Sequence, residues 1–368
     1  MKIAFYAPMK SPRHPVPSGD RLMARQLTQV LELIGAEVRL ASEVRTYINT
    51  PDAVSLDEQR GACAREARRL IQDWEAQGWR PDVWFCYHPY YKALDWIGPA
   101  IVAHFGAVHV TAEASYAPGR RDGPWKDRVE ELAGQLTSAD CHFYLKDRDR
   151  AGLAQLEGLR AGLVHVPPFI DIEPFAELDH ARTAHGPVRL VTVAMMRRDV
   201  KLESYRYLAR ALGPIQHLDW ELDIAGDGDA RGDVEDAFRD FDADRVRFLG
   251  RLEGDGIRSL LAGADLFVWP GFGEAYGLAY LEAQAAGLAV VAQDTAGVAN
   301  VVQDGVTGLL CPAHDVAAFT ATVQRFVDDR QLLRDFGARA RAFILTERSH
   351  ERACSIIGRT LAELIEQQ

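Results

Sequence analysis

Short apolar runs rich in β-branched and aromatic residues alternate along the chain with longer stretches of helical periodicity. In the first half these runs are Lys2–Ala7, Glu37–Ala41, Pro81–Tyr87, Ala107–Ala112, Asp140–Leu145 and Leu163–Val166. Helical patterns fall between them, as over Asp20–Ile34 and Pro124–Ser138. Such alternation predicts parallel sheets with crossover helices. Prolines then cluster at Pro167, Pro168 and Pro174, and the polar stretch His180–Pro187 suits a linker. A second alternation begins at Val188–Ala194. It continues through Glu221–Ala225, Val246–Leu249, Ala264–Trp269, Ala289–Gln293 and Gly308–Cys311. The expected architecture is therefore α/β, with two doubly wound Rossmann-like domains, residues 1–180 and 181–349, facing across a cleft. Ligands in such sheets sit at the carboxyl ends of the strands.

Composition narrows the partners. The chain has 368 residues, enough for two domains, with 48% hydrophobic and 26% charged residues. No apolar stretch approaches the roughly 20 residues of a membrane span. The first strand is too short to be a signal segment. The net charge of −11 argues against nucleic acid. An anionic substrate must then be met by a few placed cations. Cys63, Cys86, Cys141, Cys311 and Cys354 are scattered without C-x-x-C pairing, which points to buried free thiols in a reducing cytoplasm. Arg60, Arg65, Arg68 and Arg69 lie on a helical pattern with acidic residues interleaved. A solvated face fits them better than a membrane-surface patch, although peripheral contact at the inner membrane face stays open.

The densest chemistry lies in Pro270–Leu310. Glu274 and Glu282 stand eight positions apart, around a predicted helix that follows the apolar run Ala264–Trp269. Gly277 falls in the first turn of that helix. Eight helical residues rise about 12 Å, close to the span from a sugar ring to a ribose across a diphosphate. A helix N-terminus between the two glutamates offers N–H groups and a positive dipole end to that diphosphate. The segment reads as a cradle for a nucleotide-diphosphate sugar.

This stretch resembles the E-x7-E signature of retaining glycosyltransferases of the GT-B fold, family four in particular. The resemblance is carried by Glu274, the Tyr276-Gly277-Leu278 turn, Leu281-Glu282-Ala283, Gly287 closing the helix, and Gly305-Val306-Thr307-Gly308-Leu309-Leu310. It is specific over about forty residues and looser elsewhere. It implies that the last helix, expected over 350–368 with Ile356, Ile357, Leu361, Leu364 and Ile365 on one face, crosses back to the first domain. In the family, the first strand of the second domain is followed by a glycine-arginine pair and then a lysine, and both cations hold the donor diphosphate. Lys201 matches the lysine. Met195 or Met196 occupies the place of the arginine, and Arg197 or Arg198 can substitute from the same loop. A solvated loop is the plain alternative for these cations.

Other candidates follow from the same resemblance. Gly19 matches one of two glycines in a turn that approaches the diphosphate, while Ser18 or Asp20 can equally be an ordinary N-cap. Glu113 stands where many relatives carry a histidine near the donor sugar, and a carboxylate there suits an acceptor hydroxyl. His88 and Tyr91 end the third strand on the acceptor side, and a structural histidine is an equal alternative. Arg251 corresponds to a position whose backbone meets the base. Asp227-Gly228-Asp229 looks like a D-x-D metal motif, but three other D-x-D sequences occur, and the turn after a strand accounts for it. No His/Cys cluster has zinc spacing.

The expected function is retaining transfer of a hexosyl group from a nucleotide-diphosphate sugar to an acceptor hydroxyl. The acceptor is a carbohydrate, a lipid-linked glycan or a small molecule. The departing phosphate serves as base, and no metal or other cofactor is required. An epimerase or a phosphorylase on the same scaffold, or a non-catalytic binding subunit, are the alternatives.

Overall fold

The computed structural model describes residues 1–367 apart from Pro17, Asp52, Ala53, Glu177 and 179–184. Contacts divide the chain into one unit of Met1–Pro167 with His350–Gln368, and a second of Pro168–Ser349. The proline pair Pro167-Pro168 thus marks the passage between units. The boundary expected at 180, and most of the linker expected over His180–Pro187, lie outside the described residues.

In the first unit β1 (Lys2–Tyr6), α1 (Gly19–Leu33), β2 (Glu37–Ser42), α2 (Leu56–Ala76) and β3 (Val83–Tyr87) come first. They are followed by α3 (Gly98–Phe105), β4 (Val108–Ala112), α4 (Lys126–Thr137), β5 (Cys141–Tyr144), α5 (Asp147–Leu153) and β6 (Gly162–His165). The second unit opens with α6 (Glu173–Ala176), β7 (Val188–Val193), α7 (Val200–Leu212), β8 (Trp220–Ala225) and α8 (Arg231–Ala237). It continues with β9 (Val246–Gly250), α9 (Asp255–Gly263), β10 (Leu266–Val268), α10 (Leu278–Ala285) and β11 (Ala289–Gln293), then β12 (Gly308–Cys311), α11 (Val316–Asp328) and α12 (Arg330–Glu347). The final helix, α13 (His350–Glu366), packs on α1 of the first unit.

Each unit holds one parallel six-stranded sheet, ordered β2-β1-β3-β4-β5-β6 and β12-β11-β10-β7-β8-β9. The residues explain the order. Val83–Tyr87, Val108–Ala112 and Ala289–Gln293 are buried at every position, as interior strands covered by helices on both faces must be. Three of the four edge strands, β2, β6 and β9, carry Glu37, His165 and Arg247, all exposed. In each sheet the chain builds outward on one side and then returns to the other. The switch points fall between β1 and β3, and between β7 and β10.

On α2 the four arginines are exposed, and Arg60 and Arg69 pair with neighbouring carboxylates. Among the described residues no helix is long and apolar enough to cross a membrane.

Candidate functional site

At the switch point of the second unit, β7 runs out at Val193 and α7 begins at Val200. The Asp199 side chain caps α7, accepting from the Lys201 amide at 2.8 Å. This fixes Lys201 in the first turn. Glu274 arrives from the neighbouring strand, β10. The Lys201 ammonium and Glu274 Oε1 form an ion pair, and Trp269 Nε1 donates to the same oxygen at 3.0 Å. Lys201 Nζ also lies 5.6 Å from the Trp269 ring centre. Both charged side chains are largely enclosed, at 13% and 15% exposure.

The Pro270–Gly277 turn is shaped by close backbone approach. Gly277 has φ 77°, and a Cβ there would stand 2.6 Å from the Tyr280 ring. At Gly297 a Cβ would meet the Ala275 carbonyl oxygen at 1.5 Å, so only glycine lets the two loops touch. Tyr280 Oη donates to the Trp269 carbonyl at 3.1 Å, and Gly297 N donates to the Glu274 carbonyl at 3.0 Å. Helix α10 therefore starts at Leu278, with Gly277 as its N-cap and no side chain capping it. Two expectations are corrected here. Glu274 stands four residues ahead of the helix, so eight helical residues do not separate the glutamates. Gly277 precedes the first turn instead of lying within it, because its left-handed backbone cannot be helical.

Glu282 lies on α10, half-buried. Burial lifts its carboxyl from an ordinary 4.5 to about 7, and Arg258 of α9 opposes part of that rise. Tyr276 and Leu278 are both buried beside the turn. Gly287 has φ 72° just beyond α10, where its amide donates to Gln284, a left-handed helix end as read from the sequence.

The basic loop residues hold carboxylates of their own. Arg197 pairs with Asp199 at 3.3 Å and Arg198 with Asp233 at 2.7 Å, both more than half exposed. Neither forms an ion pair with Glu274 among the described residues. Met196 is fully buried, and Met195 is 37% exposed. The Met196 amide donates to Asp227 O at 3.0 Å and its carbonyl accepts from Ala230 N at 2.9 Å. Arg251 is exposed and donates to Glu253 at 2.8 Å. Asp227 accepts from its neighbour Gly228 N at 2.9 Å and faces Arg231 at 3.8 Å. The D-x-D sequence at Asp227 is thus a turn after β8.

In the first unit, a second cluster occupies the strand ends. His88 follows β3, and its Nδ1 lies 3.1 Å from Asp20 Oδ1 at the start of α1. Glu113 follows β4, is 2% exposed, accepts from Tyr87 Oη at 3.0 Å and pairs with Lys146 at 2.7 Å. Lys146 also meets Asp149 at 3.2 Å. Both His88 and Glu113 adopt left-handed backbone, φ 57° and 55°. Non-glycine residues held there cost energy and mark sites where orientation matters. Burial opposes both charges, yet Asp20 and Glu113 raise the His88 pKa, while Lys146 and His88 lower that of Glu113. Burial pushes the Asp149 carboxyl up. The Tyr90 ring stacks on His88 at 5.1 Å and meets Tyr91 edge-on at 5.5 Å. Ser18 caps α1 by accepting from Arg21 N at 3.2 Å, so the ordinary cap is its role. Gly19 is the first helical residue and has open space where a Cβ would stand.

The structure thus joins Lys201 to Glu274, and His88 to Glu113 through one charge network. It leaves Arg197, Arg198 and Arg251 apart from the former pair. Lys146, Asp149, Trp269 and Arg258 escaped the sequence reading. Asking which residue follows each predicted strand would have found Lys146.

Comparison with known proteins agrees with this layout. Residues 187–329 match the family of glycosyl transferases group 1. The chain is 28% identical to a phosphatidyl-myo-inositol mannosyltransferase of Mycolicibacterium smegmatis, over 95% of this chain and 90% of that protein. It is 29% identical to a glycogen synthase of Mycobacterium tuberculosis, over 73% of this chain and 65% of that one. Among solved structures, a sucrose-phosphate synthase from Thermosynechococcus elongatus superposes with a TM-score of 0.75 at 19% identity, covering 100% of both chains. Anabaena HepE, solved with UDP and glucose, gives 0.68 at 16% identity, covering 98% of this chain and 99% of that one. These two show the fold alone. Two parallel sheets of GT-B type, a match to the group 1 glycosyltransferase family over residues 187–329 and a similar mannosyltransferase along nearly the whole length indicate that the chain is a glycosyltransferase.

Proposed function

We propose that the second unit binds a nucleotide-diphosphate sugar and that the enzyme transfers the sugar with retention of anomeric configuration. The observation that carries this is the Lys201–Glu274–Trp269 group at the β7/β10 switch point, directly ahead of the uncapped N-terminus of α10. A lysine and free amides suit a diphosphate. A carboxylate oriented by an indole N–H suits sugar hydroxyls. Glu282, further along, suits the ribose. This is also the order expected from the E-x7-E resemblance.

In the proposed step, the acceptor oxygen bonds to the anomeric carbon on the face from which the diphosphate departs. The bond from that carbon to the phosphate oxygen breaks, and the departing phosphate takes the acceptor proton. The products are a nucleoside diphosphate and a glycoside of unchanged configuration. Negative charge grows on the diphosphate as the bond breaks. Lys201 and the α10 amides are positioned to stabilise it. Lys201 exchanges Glu274 for phosphate when donor binds, which frees Glu274 for the sugar. Charge neutralisation by these groups makes the reaction metal-independent. The unpaired thiols of the five cysteines support a reducing, cytoplasmic setting.

The test is a thermal-shift screen with a panel of nucleotide sugars, followed by NMR of the product. A true donor at 100 times its Kd stabilises by about 2.7 kcal/mol. Turnover in the presence of a chelator should match the untreated rate. An inverted anomeric centre would refute the same-face mechanism. A panel in which no nucleotide sugar binds would refute the donor assignment.

A further inference from the structure

The arginines of the loops and first helical turns around the two sets of strand ends are held differently. In the second unit Arg197, Arg198, Arg231, Arg251 and Arg258 each hold a carboxylate. At the carboxyl ends of the first unit's strands, four cations lie on aromatic faces instead. Arg45 sits 4.6 Å from the Tyr47 ring, Lys92 5.2 Å from Trp125, Arg120 5.8 Å from Tyr91 and Arg121 5.5 Å from Tyr116. None of these four has a carboxylate partner among the described residues. Arg45, Arg120 and Arg121 are exposed.

Two of the rings beneath them, Tyr91 and Trp125, are continuous with the buried charge cluster. His88 stacks on Tyr90, Tyr90 meets Tyr91, and Tyr91 meets Trp125 at 5.0 Å. Tyr90 also lies within electrostatic reach of Tyr47, Arg45 and Asp20. Lys92 Nζ donates to Asn49 O at 3.3 Å, tying the β2–α2 loop to the same rim.

A ring face holds a cation in place without neutralising it. A guanidinium on a ring can still turn an N–H edge to phosphate; in Arg45 the Nε donates to the Met9 carbonyl at 2.8 Å, which leaves its terminal N–H groups for that contact. In a chain of net charge −11, placed and unneutralised cations at one address are selective for an anion. Aromatic faces beside them suit the C–H faces of a polyol or sugar.

We propose that this rim binds an anionic hydroxylated acceptor, a phosphorylated polyol or sugar. Its phosphate is held by Arg45, Lys92, Arg120 and Arg121, and its hydroxyl face is turned to the His88–Glu113 floor. The proposal rests on the transfer reading above for the word acceptor, and its binding test stands apart from that reading. A soluble phosphorylated compound and a lipid headgroup share this chemistry.

The experiment is calorimetric titration of the full chain with glucose 6-phosphate and glycerol 3-phosphate against glucose and glycerol. Vesicles of phosphatidylglycerol against phosphatidylcholine form the lipid arm. At least one phosphorylated partner should bind about tenfold or more tighter than its neutral counterpart, and weaken with salt. Binding confined to free phosphates, or to phosphatidylglycerol, supports the proposal and identifies the source. The Arg45→Ala/Arg120→Ala/Arg121→Ala variant should lose that preference while nucleotide-sugar affinity stays within about twofold. Should it melt early, Arg120→Ala alone is read instead, with a loss of about threefold or more expected. Arg68→Ala on α2 is the control for general charge. Equal binding of neutral partners would overturn the proposal. So would a retained preference in the arginine variants, or an equal loss in Arg68→Ala. Phosphate binding without any nucleotide-sugar binding would support the anion site and refute the donor reading.

Discussion

The raised carboxyl of Glu282 makes donor binding dependent on pH in a direction that can be worked out. A ribose hydroxyl donates, so the ionised carboxylate is the form that binds it best. With a pKa of about 7 in the empty protein, roughly 9% of Glu282 is ionised at pH 6 and about 91% at pH 8. If binding requires the ionised form, the Kd of a nucleotide sugar should fall about tenfold over that interval, close to 1.4 kcal/mol. An intact nucleotide sugar is the right probe, because its diphosphate is esterified at both ends and has no terminal proton to lose. Isothermal titration at pH 6, 7 and 8 measures the slope. Proton release should accompany binding at pH 6, seen as a dependence of the apparent enthalpy on the buffer. Glu282→Gln cannot ionise and should flatten the profile while weakening binding throughout. In the free protein, the folded state keeps a proton on Glu282 up to about pH 7, which the unfolded chain gives up near 4.5. Stability is therefore lost as pH rises through that window, and Glu282→Gln should be spared the loss. A flat wild-type profile, or the same slope in Glu282→Gln, would refute the assignment of Glu282 to the ribose.

Two further outcomes follow from the same site. Lys201→Ala should lower turnover by about 10²–10³, or about 2.7–4 kcal/mol, with a much smaller effect on donor binding; near-normal kcat would remove Lys201 from the mechanism. Glu282→Ala should weaken nucleoside diphosphate and donor alike, by about 0.5–3 kcal/mol, whereas Glu274→Ala should leave nucleoside diphosphate affinity almost unchanged; equal losses in the two variants would overturn the orientation of the donor.

Much of the fold was legible in the chain because parallel strands buried on both faces are continuous apolar runs. The expected runs Ala289–Gln293 and Gly308–Cys311 coincide with β11 and β12, and Val188–Ala194 exceeds β7 by one residue. Glu274 and Lys201 were legible because each follows a strand that the apolar pattern marks. What escaped depended on strand order or backbone angle. Lys146 reaches Glu113 only because β4 and β5 are neighbours, and Asp149 looked like one more chance D-x-D. The late start of α10 hangs on the φ of Gly277, which the identity of a glycine permits but does not specify. The pairing of Arg197 and Arg198 was not legible, because nothing in their loop says that Asp199 and, a helix away, Asp233 lie beside them.

The return of α13 to the first unit has a consequence for how the protein is made. In chain order the second unit, Pro168–Ser349, is an insert within the first. A ribosome therefore delivers all twelve strands before the helix that covers α1. Gly358 of that helix would place a Cβ only 3.2 Å from Ile34, and Cys354 Sγ lies 3.7 Å from the Val30 carbonyl. Until α13 emerges, the flank around Val30 and Ile34 lacks the cover this helix gives. During synthesis the inserted unit can finish folding while its host waits, with an adhesive surface open to chaperones or to other nascent chains.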